Sequence, residues 1–302
     1  MEEIDRLFAT SGLSLERMRS FLAVVDAGGQ SKAAGGDPTK QSQFSRQIRE
    51  LEGFFGVALT KRVGKHIAIT EAGEQLAKLI RLQLRELSHF RESQAGGSPS
   101  LTLGCSASIS QWVVAPQLPE IRNALRNASI DVIQSRSLEL VRAVTDGRID
   151  LGIVRSDAVG DHVSSVTLGE VSYSFFAAKR LAPGSSKRDV QDLLRRLPMV
   201  RNLPGGRFDN ELTRWLEEEE IEVNVVARVS SFIMAGEMVT QGHGAAILPD
   251  IAEKTLERSA VFRKALPLPY RRRFRLIWNS RSLERAGITE KQISKLAQAV
   301  NF

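Results

Sequence analysis

Residues 41–70 read QSQFSRQIRELEGFFGVALTKRVGKHIAIT, and this stretch decides the fold of the N-terminal part. Its first half has a helical period. Phe44, Ile48, Leu51 and Phe55 recur on one stripe of a helix expected from about Lys40 to Phe55. Ser42, Ser45, Arg46 and Arg49 fall on the opposite stripe, at i, i+3, i+4 and i+7. A packed apolar face with Ser, Arg and Gln turned outward suits a DNA major groove. There arginine bonds guanine edges bidentately, and serine serves bases or phosphates. An ordinary surface helix carries the same stripe, so its neighbours must decide. The second half, LTKRVGKHIAIT (59–70), holds two strand-like pieces flanking Val63–Gly64–Lys65. Lys61, Arg62 and Lys65 make this hairpin basic. Alone it reads as a solvated turn; beside a recognition helix it reads as a wing that grips phosphates or the minor groove.

Working outward, Leu15, Met18, Phe21, Leu22 and Val25 recur at helical spacing behind Ser14, a candidate N-cap. Residues 1–14 read as a loosely ordered leader. Gly28 and Gly29 close the first helix, and Ser31 opens a short second one through Ala33 and Ala34. GGDPT (35–39) then breaks the chain, because Pro38 cannot continue a helix. Two short helices and a glycine turn before the third make a helix-turn-helix. Downstream, Thr70 caps a long helix from Glu71 to about Arg91. Ala77, Ile80, Leu84 and Leu87 fit a heptad seam, broadened by Leu76, Leu79 and Phe90. Packing within the chain and pairing with a second copy both satisfy such a face. SQAGGSP (93–99) reads as a linker.

After Pro99 strands and helices alternate. LTLGCS (101–106), a helix from about Trp112 to Leu125, IDVIQS (130–135), LELVRAVTDG (138–147) and IDLGIV (149–154) form a βαβαβ series. That order predicts a parallel sheet covered by helices, with ligands at the carboxyl ends of its strands. A second series follows: SYSFFAAK (172–179), a helix near 188–196, LPMVRN, a helix over 209–220 and VNVVARV (223–229). A helix over 232–241, AAILP (245–249), FRLIWN (274–279) and a closing helix near 289–300 complete it. Two small α/β halves with a cleft between them suit a captured metabolite.

Composition sets the outer bounds. The 302 residues exceed one ordinary core, and 42% hydrophobic with 25% charged residues is usual for folded protein. A net charge of +7 raises the odds of a polyanionic partner. No stretch approaches a membrane span, and the acidic MEEIDRLF start is unlike an export signal, so the cytoplasm is the expected location. The single cysteine, Cys105, forms no internal disulfide. An enzyme finds no motif here. GCSAS (104–108) lacks the final glycine of a nucleophile elbow, GHGAAI (242–247) is no dinucleotide fingerprint, and the four histidines have no metal-ligand spacing. No catalytic residue, metal or cofactor is expected. A transported-solute receptor would match the C-terminal half but has no use for a basic helix-turn-helix. EEEEIE (217–222) and RRRFR (271–275) read as solvated faces, the latter with a partner subunit as an alternative.

Beyond these separate signals, the chain closely resembles the LysR-type transcriptional regulators. The resemblance is carried by Phe21 and Val24, AGGQSKAA (27–34), QSQFSRQIRELEGFFGVAL (41–59), Arg62 and ITEAGEQL (69–76). GRIDLGIVR (147–155) and GHGAAILP (242–249) extend it through the C-terminal part. It departs from the usual pattern at Gly29, at Asp37 and Thr39 in the turn, and at Thr60 in the wing. The resemblance implies a winged helix-turn-helix over 1–70, a dimerisation helix over 71–92, and a two-lobed, periplasmic-binding-protein-like α/β effector domain over 99–302. Lobe I would comprise about 100–165 and 268–302, and lobe II about 166–267. It further implies promoter DNA as partner, assembly as a dimer of dimers, a small-molecule co-inducer and contact with RNA polymerase. DNA contacts would fall on Gln41, Ser42, Ser45, Arg46 and Arg62; Arg49 and Lys65 join them from the stripe and the hairpin. Effector contacts would fall on Ser106, Ser108, Ser110, Ser137, Asn202, Gly205, Gly206, Ser230 and Ser231. Hydroxyls and free N–H groups at such strand-to-helix junctions suit an anion, although each serine is equally suited to capping a helix.

Overall fold

The computed structural model describes residues 11–64, 66–94, 100–161, 163–181, 189–256, 260–300 and 302. The chain divides into two units, one through Gly96 and, the turn at 146–148 aside, one from Gly97 onward.

In the N-terminal unit, α1 (Leu15–Asp26) starts at Ser14, whose side chain accepts from the Arg17 N–H. A short α2 (Gln30–Ala33) begins one residue before the expected Ser31, with Gly29 as its N-cap. The recognition helix α3 spans Pro38–Phe55, starting earlier than the expected Lys40. Pro38 was expected to break the chain, yet it sits in the first turn, where no intrahelical N–H is required. Asp37, one of the departures in the turn, is the N-cap and accepts from Thr39 N at 2.8 Å and Lys40 N at 3.3 Å. The wing strands β1 (Thr60–Val63) and β2 (His66–Ile69) pair antiparallel, with Val63 opposite His66. That register leaves a two-residue turn, and Gly64 supplies its positive φ of 60°. Lys65, the second turn residue, lies outside the described residues, as do 1–10 and 95–99 of the expected leader and linker. Glu52 on α3 ties the wing down, accepting from the N–H groups of Leu59 and Thr60 and from the Thr60 hydroxyl. The departure at Thr60 therefore has a structural use.

The long helix α4 runs Glu71–Gln94. Its heptad seam is divided. Ala77 and Ile80 are fully packed in one core with Phe21, Val24, Ile48, Leu51 and Leu59, and Leu84 packs partly against it. Of the two readings of this face, packing within the chain takes Ala77 and Ile80, since the small N-terminal unit needs those residues for its own core. Leu79, Leu87 and Phe90 remain exposed. Arg81 anchors α4 to the end of α1 through an ion pair with Asp26.

In the C-terminal unit, β3 (Ser100–Cys105) leads into a short helix α5 (Ala107–Ile109), a π-helical turn (Ser110–Val114) and α6 (Leu118–Ala124). The expected single helix from Trp112 thus begins five residues earlier and is interrupted before α6. There follow β4 (Ser129–Gln134), α7 (Ser137–Thr145), β5 (Leu151–Arg155) and β6 (Ser164–Val171). The second lobe holds β7 (Tyr173–Ala178), α8 (Val190–Arg196), β8 (Met199–Asn202), α9 (Arg207–Glu218) and β9 (Val225–Val229). It continues with α10 (Phe232–Thr240), β10 (Ala246–Pro249) and β11 (Val261–Ala265). The chain then returns through β12 (Arg272–Trp278), α11 (Ser280–Arg285) and α12 (Glu290–Ala299) to the first lobe.

The first lobe's sheet has the order β4-β3-β5-β12-β6. β3, β4 and β5 are parallel as expected, but β12 runs antiparallel between β5 and β6, so the sheet is mixed. β6 pairs along its length with β12, which moves the expected lobe boundary from 165 to the Val171–Tyr173 crossing. Asp150 is buried and structural: its carboxylate accepts from Thr102 N at 2.8 Å, clamping β3 beside β5. In the second lobe, β7 is flanked antiparallel by β10 and β11, and β8 pairs parallel with β9. A bridge between Met199 and Ala245 joins the two pieces. One apolar core, including Trp112, Leu151, Phe176, Val239 and Leu248, continues from lobe to lobe.

Candidate functional site

The outward face of α3 is free of the core. Gln41, Ser42, Arg46 and Arg49 are exposed and Ser45 is half-buried, while Ile48 and Leu51 are packed behind them. The Arg46 side chain is 73% exposed, with only a long, 4.0 Å i,i+4 contact to Glu50. Arg49 folds back on its own helix, donating to the Ser45 carbonyl at 3.3 Å and its hydroxyl at 3.4 Å. Arg62 is exposed on β1 and donates to the Gly64 carbonyl across the turn. Phe55, placed on the apolar stripe, is 37% exposed and packs edge-on against Phe54.

The second set of residues gathers at the carboxyl ends of two parallel groups of strands. In the first lobe, Ser106 follows β3, and its hydroxyl lies 3.3 Å from that of Ser108. Ser137 opens α7, but its hydroxyl accepts from the Arg155 N–H at the end of β5. Ser110 is engaged with the Cys105 thiol. In the second lobe, Asn202 ends β8 opposite Val229, which places it beside Ser230 and Ser231. Ser231 caps α10, accepting from Met234 N. Gly205 takes a φ of 94°, and Gly206 precedes α9 without a side-chain cap. Three of the serines thus have structural partners, and Ser106 and Ser108 face one another.

What brings the two lobes together at this edge was not read from the sequence. Asp157, just beyond β5, accepts from Arg207 at the start of α9 at 2.9 Å and lies 3.3 Å from Arg155. Beside them the returning segment Pro269–Arg273 walls a cavity of about 580 Å³. The run RRRFR is therefore more than a solvated face. Arg272 is half-buried and donates to the Tyr270 hydroxyl through two nitrogens, each at 3.3 Å. The charge run was the available signal, but only the return of the chain between lobes puts it next to Arg155 and Arg207.

Cys105 is completely buried, and burial pushes its thiol from 9.0 up to about 11, with the Ser110 hydroxyl pulling weakly the other way. The thiolate is the reactive form, so the native thiol is nearly inert at neutral pH. In the unfolded chain it ionises near 9.0 and in the folded chain near 11, so stability falls as pH rises through that window. The loss is up to about 3 kcal/mol. Iodoacetamide at neutral pH is expected to leave Cys105 unmodified until denaturant is added; prompt labelling of the native chain would show that the strand end opens.

Among the described residues no group of His, Cys, Asp and Glu is arranged to hold a metal ion, and no helix is long and apolar enough to cross a membrane.

Comparison with known proteins agrees with this division. Residues 15–74 match the bacterial regulatory helix-turn-helix protein, lysR family, and residues 94–290 match the LysR substrate binding domain. The chain is 24% identical over 267 residues to a probable hydrogen peroxide-inducible genes activator of Mycobacterium leprae, covering 84% of this chain and 85% of that protein. It is 23% identical over 260 residues to the HTH-type transcriptional regulator AlsR of Bacillus subtilis, covering 83% and 85%. Among solved structures, full-length OxyR from Pseudomonas aeruginosa superposes with a TM-score of 0.62 at 18% identity, covering 95% of this chain and 94% of that one. Full-length CbnR complexed with its target DNA superposes with a TM-score of 0.59 at 18% identity, covering 95% and 100%. With a helix-turn-helix in the first unit and a substrate-binding domain filling most of the second, the chain belongs to the LysR family of transcriptional regulators.

Proposed function

We propose that this regulator reads promoter DNA with the exposed face of α3, through Gln41, Ser42, Ser45, Arg46 and Arg49, and steadies itself on the backbone with Arg62 and Lys65 of the wing. The observation that carries this reading is Arg46: its guanidinium projects from a helix whose opposite face is fixed in the core. A guanidinium carried on a fixed helix reaches base edges, and its planar fork loses less rotamer freedom per hydrogen bond formed than a lysine would. The DNA complex of the CbnR relative supports the same use of the domain. Assembly runs through the exposed Leu79, Leu87 and Phe90 of α4 in place of the buried part of its seam, giving dimers and, by a second contact, dimers of dimers. The cytoplasm, where promoter DNA and RNA polymerase are available, is the location this function requires.

Arg46→Ala is expected to weaken specific binding by about 1–3 kcal/mol and to relax discrimination at the base it contacts. Arg62→Ala is expected to weaken all sequences alike and to reduce the slope of log affinity against log salt by about one. Fluorescence anisotropy titrations at several salt concentrations separate the two, and unchanged affinity in Arg46→Ala rules out the assigned face.

The same regulator is modulated by a small anionic molecule at the facing strand ends, through Ser106, Ser108, Ser110, Ser137, Asn202, Gly205, Gly206, Ser230 and Ser231. Support comes from their placement at the carboxyl ends of parallel strands in both lobes. The LysG relative of Corynebacterium glutamicum, solved with bound effector Arg, shows a TM-score of 0.56 at 19% identity. A response to peroxide, as named for the Mycobacterium leprae relative, is disfavoured here because the sole cysteine is buried with a raised pKa.

A further inference from the structure

We infer that the cavity walled by the returning segment Pro269–Arg273 is a binding site for a compact small-molecule polyanion, such as a phosphate ester or a tricarboxylate. This rests on the reading that the C-terminal unit receives a small molecule, and it names the chemistry of one wall that the serines do not supply. The cavity holds about 580 Å³, within the range of small-ligand sites. Five guanidinium groups line it, from Arg155, Arg207 and Arg271 to Arg273, against the carboxylates of Asp157 and Glu170. Three positive charges are therefore in excess.

The pairing inside the cavity shows which cations await a partner. Asp157 is shared by Arg155 and Arg207, and Glu170 is taken by Arg273. Among the described residues Arg271 and Arg272 have no carboxylate in contact. Arg272 is held in place: it bonds the Tyr270 hydroxyl and lies 5.8 Å from the centre of that ring. Behind Tyr270 sits an aromatic floor, with Tyr173 stacked on Phe208 at 4.3 Å and tilted against Tyr270 at 5.6 Å. Burial pushes the Tyr173 phenol well above its ordinary range, so this floor supplies no anion of its own. A guanidinium held over the Tyr270 ring, with its fork oriented, no carboxylate in contact and only the shared Asp157 acting on it through space, is a preorganised receptor for phosphate or carboxylate oxygens.

Concavity favours a small molecule over an extended nucleic-acid backbone, and the charge excess favours several negative charges over one. An anion seated here competes with Asp157 for Arg207. Since that ion pair ties the start of α9 in one lobe to the end of β5 in the other, binding at this wall alters the link between lobes.

The test is calorimetric titration of the full chain with pyrophosphate, citrate and acetate at matched ionic strength. Pyrophosphate and citrate are expected to bind at least about tenfold more tightly than acetate, as charge-assisted pairs multiply. Arg271→Gln/Arg272→Gln is expected to lose at least about tenfold of that affinity, and the exposed Arg271→Gln alone about threefold, so the test survives if the double variant misfolds. Arg195→Gln/Arg196→Gln removes the same charge from α8 and is expected to change little. Acetate binding as tightly as pyrophosphate, unaltered affinity in the Arg271 variants, or an equal loss in the α8 control overturns the inference. So does a loss of promoter affinity in Arg271→Gln, without added anion, as large as its loss for pyrophosphate, because the wall then serves DNA. A metabolite hit that depends on Ser108 and Ser137, alongside no pyrophosphate binding, removes this inference and leaves the effector reading intact. Pyrophosphate binding as expected, with promoter affinity indifferent to every ligand tried, removes the effector reading and keeps the site.

Discussion

Gly73→Ala is expected to destabilise the N-terminal unit and abolish promoter binding while leaving the C-terminal unit folded. Gly73 lies in the first turn of α4, where its N–H bonds the Thr70 hydroxyl. A Cβ there would stand 2.3 Å from the Leu59 carbonyl oxygen and 2.6 Å from Cγ2 of Ile69. The first of these is backbone, held by the Thr70 N–H at 3.0 Å, so it cannot yield without opening the junction of wing and helix. Overpacking costs about 1–3 kcal/mol, and a contact against fixed backbone sits at the upper end of that range. The better helix propensity of alanine returns at most about 1 kcal/mol, so the clash decides the sign. The two units can be followed separately, because the only tryptophans, Trp112, Trp215 and Trp278, all lie in the C-terminal unit. Urea melts should show an earlier far-UV circular dichroism transition with the tryptophan fluorescence transition unmoved. Coincident, unshifted curves would show that the junction opens freely.

Asp209→Ala is expected to produce the complementary result, lowering the tryptophan-detected transition by about 3–5 kcal/mol. Arg201 on β8 donates to Asp209 at 2.7 Å and to the Thr213 hydroxyl at 2.6 Å, all on the inner side of α9. The two side chains are only 10% and 7% exposed. The Arg201 Nε already has no partner among the described residues, so removing Asp209 strands an ion in the lobe interior. Arg201→Met/Asp209→Leu removes both charges and should recover most of the loss, since a buried pair is worth little against apolar packing. A cost below about 1 kcal/mol for the single variant would mean that the pair is solvated in practice.

The helices of the N-terminal unit were legible because their apolar period and caps are local: Ser14 and the stripe through Ile48 and Leu51 need no distant partner. Pro38 misled because the same ring that ends one helix can begin another, and Asp37 beside it supplies the cap. The strands β6 and β11 were missed. β6 reads SSVTLGEV, polar and glycine-containing, and becomes a strand through its seven-residue register with β12, which lies over a hundred positions later. The heptad seam was visible, but that Ala77 and Ile80 serve the unit's own core while Leu87 stays exposed depends on how α1 packs. The serine set was found by position alone. Which hydroxyl is spent on structure is a tertiary matter, as with Ser137 and the Arg155 N–H eighteen residues away. The arginine wall could not be assembled from spacing, because its members come from β5, α9 and the returning segment.

The place of β12 between β5 and β6 governs how this protein can be made. A ribosome delivers β5 and β6 early, but the strand that joins them emerges only after the whole second lobe. Until Trp278 appears, the facing edges of β5 and β6 have no ladder partner, and such edges are templates for pairing with other chains. Closure also carries the entropy of gathering a loop of roughly a hundred residues, which slows non-local pairing. Early folding of the second lobe shortens that loop by bringing its two ends to the crossing points at Val171–Tyr173 and Leu266–Arg272. A transcript cut just before the codon for Arg272 would therefore yield a nascent chain with an intact second lobe and a first sheet split in two, a substrate for chaperones and proteases.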